Sequence, residues 1–217
     1  MNIAVIGTGN VGSALGTRWA AIGHRVVFGS RNPGSSRVRD LLASGGPNAR
    51  AARLNAAPAG AEVVVLATPW NVAEEVIRTL GGLEGKIIVD CTNPVSSDLT
   101  ELVIGHSTSA GEKVSKWAKG ARVVKAFNTI GAKNMAKPTC DSQEPTMFIC
   151  GDDADANSTV AELGRELGFD VVDAGPLKVA RYLEPLAMLW IHLAYFRGFG
   201  PDFAFKMIRR QDTLNVT

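Results

Sequence analysis

The sequence has little of what marks a disulfide-linked, metal-binding or nucleic-acid-binding protein. Its 217 residues include only 3 cysteines, an odd number without the spacing of a metal site, so we expect reduced thiols and no bound metal: Cys91, Cys140 and Cys150. Charge of one sign is not in excess, because 23 Lys and Arg stand against 21 Asp and Glu. That balance leaves no basic surface for nucleic acid.

Long apolar runs are also missing. The longest one, residues 186–196, is interrupted by His192 and is too short to cross a bilayer. Residues 2–6 enter a strand directly, without the pattern of a signal peptide. We therefore expect a cytoplasmic protein that does not insert into a membrane.

The first 31 residues contain the strongest functional signal. Residues 2–6 are an apolar run of strand length, residues 13–21 have apolar side chains at helical spacing, and residues 26–28 are a second apolar strand. Between the first strand and the helix lies a G-x-G-x-x-G motif composed of Gly7, Thr8, Gly9, Asn10, Val11 and Gly12. Strand, glycine turn, helix and strand are the context in which this motif binds a dinucleotide.

Each glycine of the motif has its own physical role. Gly7 allows the sharp turn, Gly9 lets a pyrophosphate approach the main chain, and Gly12 lets the helix pack against the strand. The free N–H groups at the start of the helix then face the phosphates. The alternative is a glycine turn that only connects strand to helix, and the flanking strands favour dinucleotide binding over it.

The end of the second strand indicates which dinucleotide binds. Sites for NAD have Asp or Glu there, which accepts hydrogen bonds from the ribose 2′-OH. Residues 29–37 contain no carboxylate but do contain Ser30 and Arg31, and a guanidinium can grip a 2′-phosphate. We therefore predict NADP(H), with further candidate contacts from Thr8, Ser35, Ser36 and Arg37.

The rest of the chain alternates apolar strands with amphipathic helices. This alternation predicts an α/β fold, a Rossmann-type doubly wound and mostly parallel sheet with a C-terminal helical segment. The predicted strands are residues 51–54, 62–67, 86–89, 122–127, 146–150 and 169–172. The predicted helices are residues 37–43, 72–80, 109–117, 153–167 and 177 to about 208, the last broken near 198–201. We expect an NADP-binding domain over 1–175 and a segment over 176–217 for dimerisation and the acceptor pocket.

Ligands of such sheets bind beyond the carboxyl ends of the strands. The loops expected there supply candidates to frame a nicotinamide: Thr68, Pro69, Asn93, Asn128 and Ile130. Pro69 is equally well explained as the residue that opens a helix. The loops contain no Ser-His-Asp set and no paired carboxylates, and the three histidines are better explained as structural or solvated: His24, His106 and His192. We therefore predict no catalytic acid or base.

A resemblance to a known family spans nearly the whole chain and rests on residues 7–12, 23–24, 29–31, 68–70, 150–153 and 173–177, with Arg181. The family that these residues resemble is the NADPH-dependent coenzyme F-420 reductases, also called 8-hydroxy-5-deazaflavin:NADPH oxidoreductases. Residues 124–130 are instead similar to the cytosolic oxidoreductase domain of the six-transmembrane metalloreductases. Those proteins pass electrons from NADPH to a flavin and then to ferric or cupric ions.

The resemblance implies a role for each matching residue. It assigns three residues to the 2′-phosphate: Thr8, Ser30 and Arg31. It assigns residues 9–11 to the pyrophosphate and frames the nicotinamide with the loops at Pro69 and 128–130. The deazaflavin would stack over the nicotinamide, beneath a loop that contains Gly175. Asn128 departs from the deazaflavin reductases, which tend to have histidine there, and this leaves the acceptor open between a deazaflavin and a flavin.

The absence of an acid or base agrees with hydride transfer between two rings. Such a reaction requires stacked planes about 3–3.5 Å apart more than it requires a proton relay. The sequence therefore predicts an NADP(H)-dependent oxidoreductase with a small-molecule acceptor, either coenzyme F-420 or a flavin. The alternatives are an imine or carbonyl reductase on the same fold and a non-catalytic NADP(H)-sensing domain.

The C-terminal helical segment predicts a homodimer. Apolar residues recur there at spacings of three and four and form one broad face: Leu183, Leu186, Leu189, Trp190, Leu193 and Phe196. Because the sheet already has helices for both of its faces, we expect two copies of this segment to cover each other. The alternative is that the segment packs against its own sheet.

Overall fold

The computed structural model describes residues 1–138 and 143–210 of the chain. Cys140 and the end of the predicted C-terminal segment lie outside the described residues. The strands are β1 Asn2–Ile6, β2 Arg25–Ser30, β3 Ala49–Arg53, β4 Val63–Leu66, β5 Ile87–Asp90, β6 Arg122–Lys125, β7 Thr146–Gly151 and β8 Asp170–Asp173. They form one sheet in the order β3-β2-β1-β4-β5-β6-β7-β8.

The strand order places a crevice next to β1. Strands β1 to β6 are parallel, whereas β7 runs antiparallel to β6 and parallel to β8. The chain moves outward from β1 to β3 and then returns to β4 on the other side of β1. The carboxyl ends of β1 and β4 therefore flank the point where the strand order reverses, which is where such sheets bind ligands. The predicted Rossmann-type doubly wound sheet is confirmed.

The strands are apolar throughout because both faces of the sheet are covered. In β1, Ile3 and Val5 belong to the core on one face, and Ala4 and Ile6 belong to the core on the other. None of the four is more than 1% exposed. Full burial of each large aliphatic side chain stabilises the fold by about 1.5–3 kcal/mol. An unbroken apolar run is thus the pattern expected of an interior parallel strand.

Seven α-helices occur in the described residues: α1 Asn10–Ala21, α2 Ser36–Gly45, α3 Trp70–Thr79, α4 Ala110–Trp117, α5 Ala132–Ala136, α6 Ala154–Glu166 and α7 Ala180–Phe196. Residues of α1 and α6 join the core on one face of the sheet, and residues of α3, α4 and α7 join the core on the other. Helix α1 begins three residues before its predicted start, because Gly9 is extended and precedes the first helical residue. Helix α5 was not predicted, since 5 residues are too few to leave a periodic pattern.

The C-terminal helix is shorter than the predicted one. Helix α7 ends at Phe196, so the prediction of helix to about residue 208 is wrong. Two glycines interrupt it with positive φ angles, Gly198 at 77° and Gly200 at 71°. Beyond them the chain returns to the sheet, where the N–H of Thr146 donates to the carbonyl of Phe205 at 3.0 Å.

Helix α7 buries one face in its own chain and leaves a second apolar stripe exposed. Trp190 is 6% exposed, its indole stacks on Phe203, and its Nε1 donates to the Phe203 carbonyl at 2.9 Å. On the other side Tyr182, Leu189 and Phe196 are 73%, 49% and 47% exposed. Their spacing of seven places them on one stripe, two turns apart. The alternative expectation, packing against its own sheet, therefore holds for one face of the helix.

The segment after residue 175 shares the core of the sheet. Leu177, Ala180 and Leu183 pack in the same buried cluster as Ala4 and Val64. Residues 1–175 therefore use side chains of the later segment to complete one face of their core. The boundary between the two expected units stays a prediction.

Candidate functional site

A continuous cleft runs along the carboxyl ends of β1, β2, β4 and β5. Its two halves meet at Gly9, Thr68 and Pro69, which line both. The first, which we call the Ser30 half, has a volume of about 560 Å³ and lies between the ends of β1 and β2 and helix α3. The second, the Asn93 half, has a volume of about 500 Å³ and lies between the start of α1, the ends of β4 and β5, and Ile191 of α7.

The three motif glycines occupy three different environments. Gly7 has a φ of +114°, and a Cβ there would lie 2.3 Å from the carbonyl oxygen of Ala67. A Cβ on Gly12 would lie 2.0 Å from the carbonyl oxygen of Gly7, so the main chain excludes a side chain at both positions. A Cβ on Gly9 would meet nothing within 4 Å. Gly9 therefore leaves open the space that a bound group can occupy.

The start of α1 lies beside this open space. Asn10 and Val11 line the Asn93 half, and the N–H groups of the first helical turn have no carbonyl partner within the helix. The first turn contains no acidic residue, so the positive end of the helix dipole is not neutralised. Backbone donors and a helix dipole arranged in this way can hold phosphate groups.

One end of the cleft brings together the residues predicted for a 2′-phosphate. Thr8, Ser30 and Arg31 all line the Ser30 half, because β2 is the immediate neighbour of β1. Arg37, near the start of α2, lies beside them, and its Nε donates to the carbonyl of Thr8 at 2.7 Å. Positive charge and a hydroxyl thus gather at this end of the cleft.

The facing wall of the Ser30 half comes from α3 and was not predicted. Val72 and Val76 provide apolar surface there, and Leu54 extends it. Glu75 is the one carboxylate among the described residues that line this half. Sequence reasoning missed it because no local pattern indicates which face of α3 turns toward the cleft.

The Asn93 half is lined by uncharged residues. Among its described lining residues the only ionisable side chain is Cys91. Burial, and then the charge of Asp90, raises the pKa of the Cys91 thiol, so the thiol stays protonated. Trp70 also lines this half and stacks on Trp117 with ring centroids 5.2 Å apart. This half can accommodate a flat ligand but offers no acid or base.

Asn128 lies behind the Asn93 half. Its Nδ2 donates to Asn93 Oδ1 and to the carbonyl of Leu183, both at 3.1 Å, and Asn93 Nδ2 donates to the carbonyl of Asn128 at 2.8 Å. Both amide hydrogens of Asn128 are therefore used, whereas its buried Oδ1 has no hydrogen-bond partner. The buried hydroxyls of Thr68 and Thr129 have none either. Buried polar atoms without partners are uncommon and mark positions that a ligand can complete.

Seven of the predicted site residues line neither half of the cleft: Gly12, Ser35, Ser36, Arg37, Asn128, Ile130 and Gly175. Gly12 packs inside the motif, and Ile130 is 6% exposed in the loop that follows β6. Gly175 requires a correction, because it follows β8, which runs antiparallel to β1. Its strand therefore ends toward the opposite edge of the sheet, and the structure does not bring Gly175 to the cleft.

Sequence reasoning also missed a group of charges behind the Asn93 half, the buried ion cluster of Lys125, Asp90 and Glu184. Lys125 Nζ lies 2.8 Å from Asp90 Oδ2 and 2.9 Å from Glu184 Oε1, and the three side chains are at most 1% exposed. Burial by itself lowers the pKa of Lys125, but the two carboxylates more than offset it, so its pKa is raised and the amine stays charged. Asp90 and Lys125 are direct partners across β5 and β6, a register that the sequence does not reveal.

Two further features are absent from the described residues. No helix there has both the length and the apolar character that spanning a membrane would require. In the same part of the chain, no three residues of the types His, Cys, Asp and Glu gather in a way that could hold a metal ion. Cys91 and Cys150 are both free thiols.

Known proteins resemble this chain in sequence. A family model described as NADP oxidoreductase, coenzyme F-420-dependent, matches residues 2–94. The F-420-dependent NADP reductase of Methanothermobacter marburgensis is 31% identical over 220 residues, covering 89% of this chain and 92% of that protein. Metalloreductase STEAP3 of Rattus norvegicus is 32% identical over 189 residues, covering 86% of this chain. This chain spans only 37% of the length of that metalloreductase.

Solved structures share the fold. A protein from Arthrobacter sp. FB24, provisionally named an F-420-dependent NADP reductase, matches with a TM-score of 0.87 and 33% identity over 95% of this chain and 99% of that one. A reductive aminase from Aspergillus terreus in complex with NADPH matches with a TM-score of 0.65 and 19% identity over 91% of this chain and 63% of that one, which shows the fold alone. The prediction of an NADP(H)-dependent oxidoreductase is thereby confirmed, and this chain belongs to the family of coenzyme F-420-dependent NADP oxidoreductases.

Proposed function

We propose that the protein transfers hydride between NADP(H) and a deazaflavin of the coenzyme F-420 type, with the two rings stacked in the Asn93 half. The observation that carries this proposal is the chemistry of that half. Its described lining residues include no group that gives or takes a proton near neutral pH, because the Cys91 thiol has a raised pKa. A reaction in which the protein aligns two rings suits such a pocket.

The lining of the pocket supports this reaction over carbonyl reduction. NADPH supplies a hydride to a ring carbon of the acceptor, and a proton needed at a ring nitrogen can come from water. A carbonyl reductase must protonate an oxygen as it becomes an alkoxide, which requires a positioned acid such as Lys, His or Tyr. The Asn93 half offers the hydroxyls of Thr92, Ser96 and Ser97 instead. Imine reduction stays the alternative, since an imine can be protonated before it binds.

The glycine motif fits the pyrophosphate of the cofactor. The open space above Gly9 admits a phosphate close to the main chain, and the N–H groups that follow it face that space. Gly9, Asn10 and Val11 are therefore the residues proposed to hold the pyrophosphate. Gly7 and Gly12 support them by letting the loop pack directly on β4 and on itself.

The Ser30 half fits the adenosine end. Ser30, Arg31 and Thr8 are proposed to hold the 2′-phosphate, through charge-assisted hydrogen bonds that a hydroxyl on the ribose cannot replace. Arg37 adds a second positive charge because its Nε is anchored on the motif. Val72 and Val76 of the facing wall provide apolar contact for the adenine ring.

The junction of the two halves fits the nicotinamide end. Thr68 and Pro69 line both halves, so they are proposed to frame the nicotinamide ribose, with the unpartnered Thr68 hydroxyl as a hydrogen-bonding group. Asn93 lies on the surface of the pocket and is fixed from behind by Asn128. Asn128 and Ile130 line neither half, so they are proposed to support the contact with the carboxamide from behind, Asn128 through its hydrogen bonds to Asn93.

The outer walls of the Asn93 half are proposed to hold the acceptor ring and to exclude water. Trp70, braced by its stack on Trp117, forms one side. Val95 and Leu99 form a second, and Ile191 of α7 forms a third. Ile191 is the residue through which the C-terminal segment contributes to the acceptor pocket, and in the stacked arrangement it also borders the nicotinamide ring.

An acceptor screen tests the proposal. The unmutated protein is mixed with NADPH and, in turn, with a deazaflavin cofactor, flavin mononucleotide, cyclic imines and ketones, while the absorbance of NADPH is followed. We expect the fastest oxidation with the deazaflavin and none with the ketones. Turnover with flavin alone would assign the acceptor to the flavins, and turnover with imines alone would replace the proposal. Tight binding of NADPH without turnover on any acceptor would favour a sensing domain.

A further inference from the structure

The buried ion cluster costs folding free energy, and the proposed chemistry does not use it. Lys125 and Asp90 have no exposed side-chain surface, and Glu184 has 1%. Removing such ions from water costs several kcal/mol each, and apolar side chains of similar volume often stabilise a core better. The cluster does not touch the cleft directly, so its charges are not placed to act on a ligand. Its neighbours indicate what it does instead.

The cluster fixes one wall of the Asn93 half through Thr92. Asp90 Oδ1 accepts from the backbone N–H of Thr92 at 2.9 Å and from its hydroxyl at 2.7 Å. Lys125 Nζ donates to the carbonyl of Thr92 at 2.6 Å. Every polar group of Thr92 is thus bonded to the cluster, and Thr92 and Asn93 both line the pocket.

The cluster fixes the facing wall through α7. Glu184 belongs to that helix, and besides Lys125 its carboxylate accepts from the backbone N–H groups of Ala110 at 2.9 Å and Gly111 at 3.0 Å. Ile191, which lines the pocket, follows Glu184 by seven residues. Seven residues are about two helical turns, so both lie on the same face of α7. Because the helix is continuous between them, the contacts that hold Glu184 also fix the position of Ile191.

We propose that the buried ion cluster positions the two facing walls of the Asn93 half, Thr92–Asn93 and Ile191, around the nicotinamide ring of NADP(H). Lys125, Asp90 and Glu184 are then positioning residues that act through Thr92 and α7. The inference rests on the proposed placement of the nicotinamide in this half. It predicts that damage to the cluster weakens binding of the nicotinamide end of the cofactor and spares the adenosine end.

The test compares two ligands on two variants. Glu184→Gln keeps the shape of the side chain but replaces a carboxylate oxygen by an amide nitrogen, which cannot accept from Lys125 or from the helix α4 N–H groups. Arg181→Gln is the matched control: Arg181 lies one turn away on α7 and binds Glu112 of α4 at 2.7 and 2.8 Å, outside the cluster. Dissociation constants are measured for NADPH and for 2′,5′-ADP, which contains the adenosine end alone.

We expect Glu184→Gln to raise the dissociation constant of NADPH about tenfold and to leave that of 2′,5′-ADP within about twofold. Arg181→Gln should change neither. An unchanged affinity for NADPH in Glu184→Gln would overturn the inference. Equal weakening of both ligands would overturn it too, because that pattern indicates damage to the whole fold.

If Glu184→Gln does not fold, Ile191→Ala tests whether the wall that the cluster holds contributes to NADPH binding. This substitution removes one wall of the pocket and leaves the cluster intact. The inference requires it to weaken NADPH and to spare 2′,5′-ADP, and unchanged NADPH affinity would refute it. Binding of NADPH and 2′,5′-ADP to these variants is measured without an acceptor. A failure of the unmutated protein to reduce any deazaflavin would therefore count against the proposed function alone.

Discussion

The residues of the Ser30 half that are proposed to hold the 2′-phosphate come from two short stretches of chain, residues 7–9 and 29–32, at the ends of the neighbouring strands β1 and β2. The Asn93 half draws on α1, the ends of β4 and β5, the loop 95–99 and α7. Local backbone geometry shapes the first half, whereas paired side chains far apart in sequence, such as Asn93 and Asn128, hold the second. The two halves should therefore fail in different ways when they are mutated.

The largest difference between two substitutions is expected inside the glycine motif, between Gly12→Val and Gly9→Val. Gly12→Val places a side chain about where the carbonyl of Gly7 lies, and a Cβ only 2.0 Å from that oxygen cannot be accommodated, so this variant should not fold. Gly9→Val meets open space, so it should fold normally and lose NADPH binding. Circular dichroism and calorimetry with NADPH measure the two outcomes. Normal NADPH affinity of Gly9→Val would mean that the motif is only a connecting turn.

Arg31→Ala should separate NADPH from NADH. Loss of a charge-assisted contact to the 2′-phosphate costs about 1.5–3 kcal/mol, so NADPH should bind roughly ten- to a hundredfold more weakly while NADH changes little. Arg78→Ala on the outer side of α3, where Arg78 pairs with Glu74, is the matched control. Equal affinity of the unmutated protein for both cofactors would contradict the assignment of Ser30 and Arg31.

A substitution in the exposed stripe of α7 tests the predicted homodimer. Tyr182, Leu189 and Phe196 present apolar surface that a second copy of the helix can cover. Leu189→Asp should convert a dimer to a monomer in sedimentation at micromolar concentration. Trp190 is unsuitable for this test, because its side chain is buried against Phe203 and its loss would damage the fold. A monomeric mass for the unmutated protein would refute the dimer.

The smallest expected effect concerns pH and the contact between α4 and α7. Hydrogen bonds from Arg181 lower the pKa of the Glu112 carboxyl below its usual 4.5. The pair therefore stabilises the folded protein above that pKa, and its contribution disappears as the pH falls through the lowered value. Because the pair is partly exposed, screening by solvent keeps its contribution at neutral pH small.

The melting temperature should thus fall more between neutral and strongly acidic pH in the unmutated protein than in Arg181→Gln. Calorimetry across that range measures both slopes. Parallel slopes would show that the pair contributes nothing.

The end of the Ser30 half that is proposed to hold the 2′-phosphate could be predicted because its residues lie in two short stretches of chain. The motif at residues 7–12 follows β1 and the Ser30–Arg31 pair lies at the end of β2, and the two strands are neighbours both in the chain and in the sheet. Glu75 was not predicted, because a helix in isolation does not reveal which face it will turn toward the cleft. The assignment of Gly175 to the pocket failed because the antiparallel direction of β7 and β8 leaves no mark in their apolar pattern.

The sequence by itself determined the alternation of strands and helices, the glycine loop and the preference for a phosphorylated ribose. These follow from hydrophobic period, from the backbone freedom of glycine and from the charge of one short segment, all of which act locally. Only the tertiary structure decided that Asp90, Lys125 and Glu184 meet behind the Asn93 half and that α7 ends at Phe196. Strand register and the packing of distant helices set those features, and both depend on the whole core.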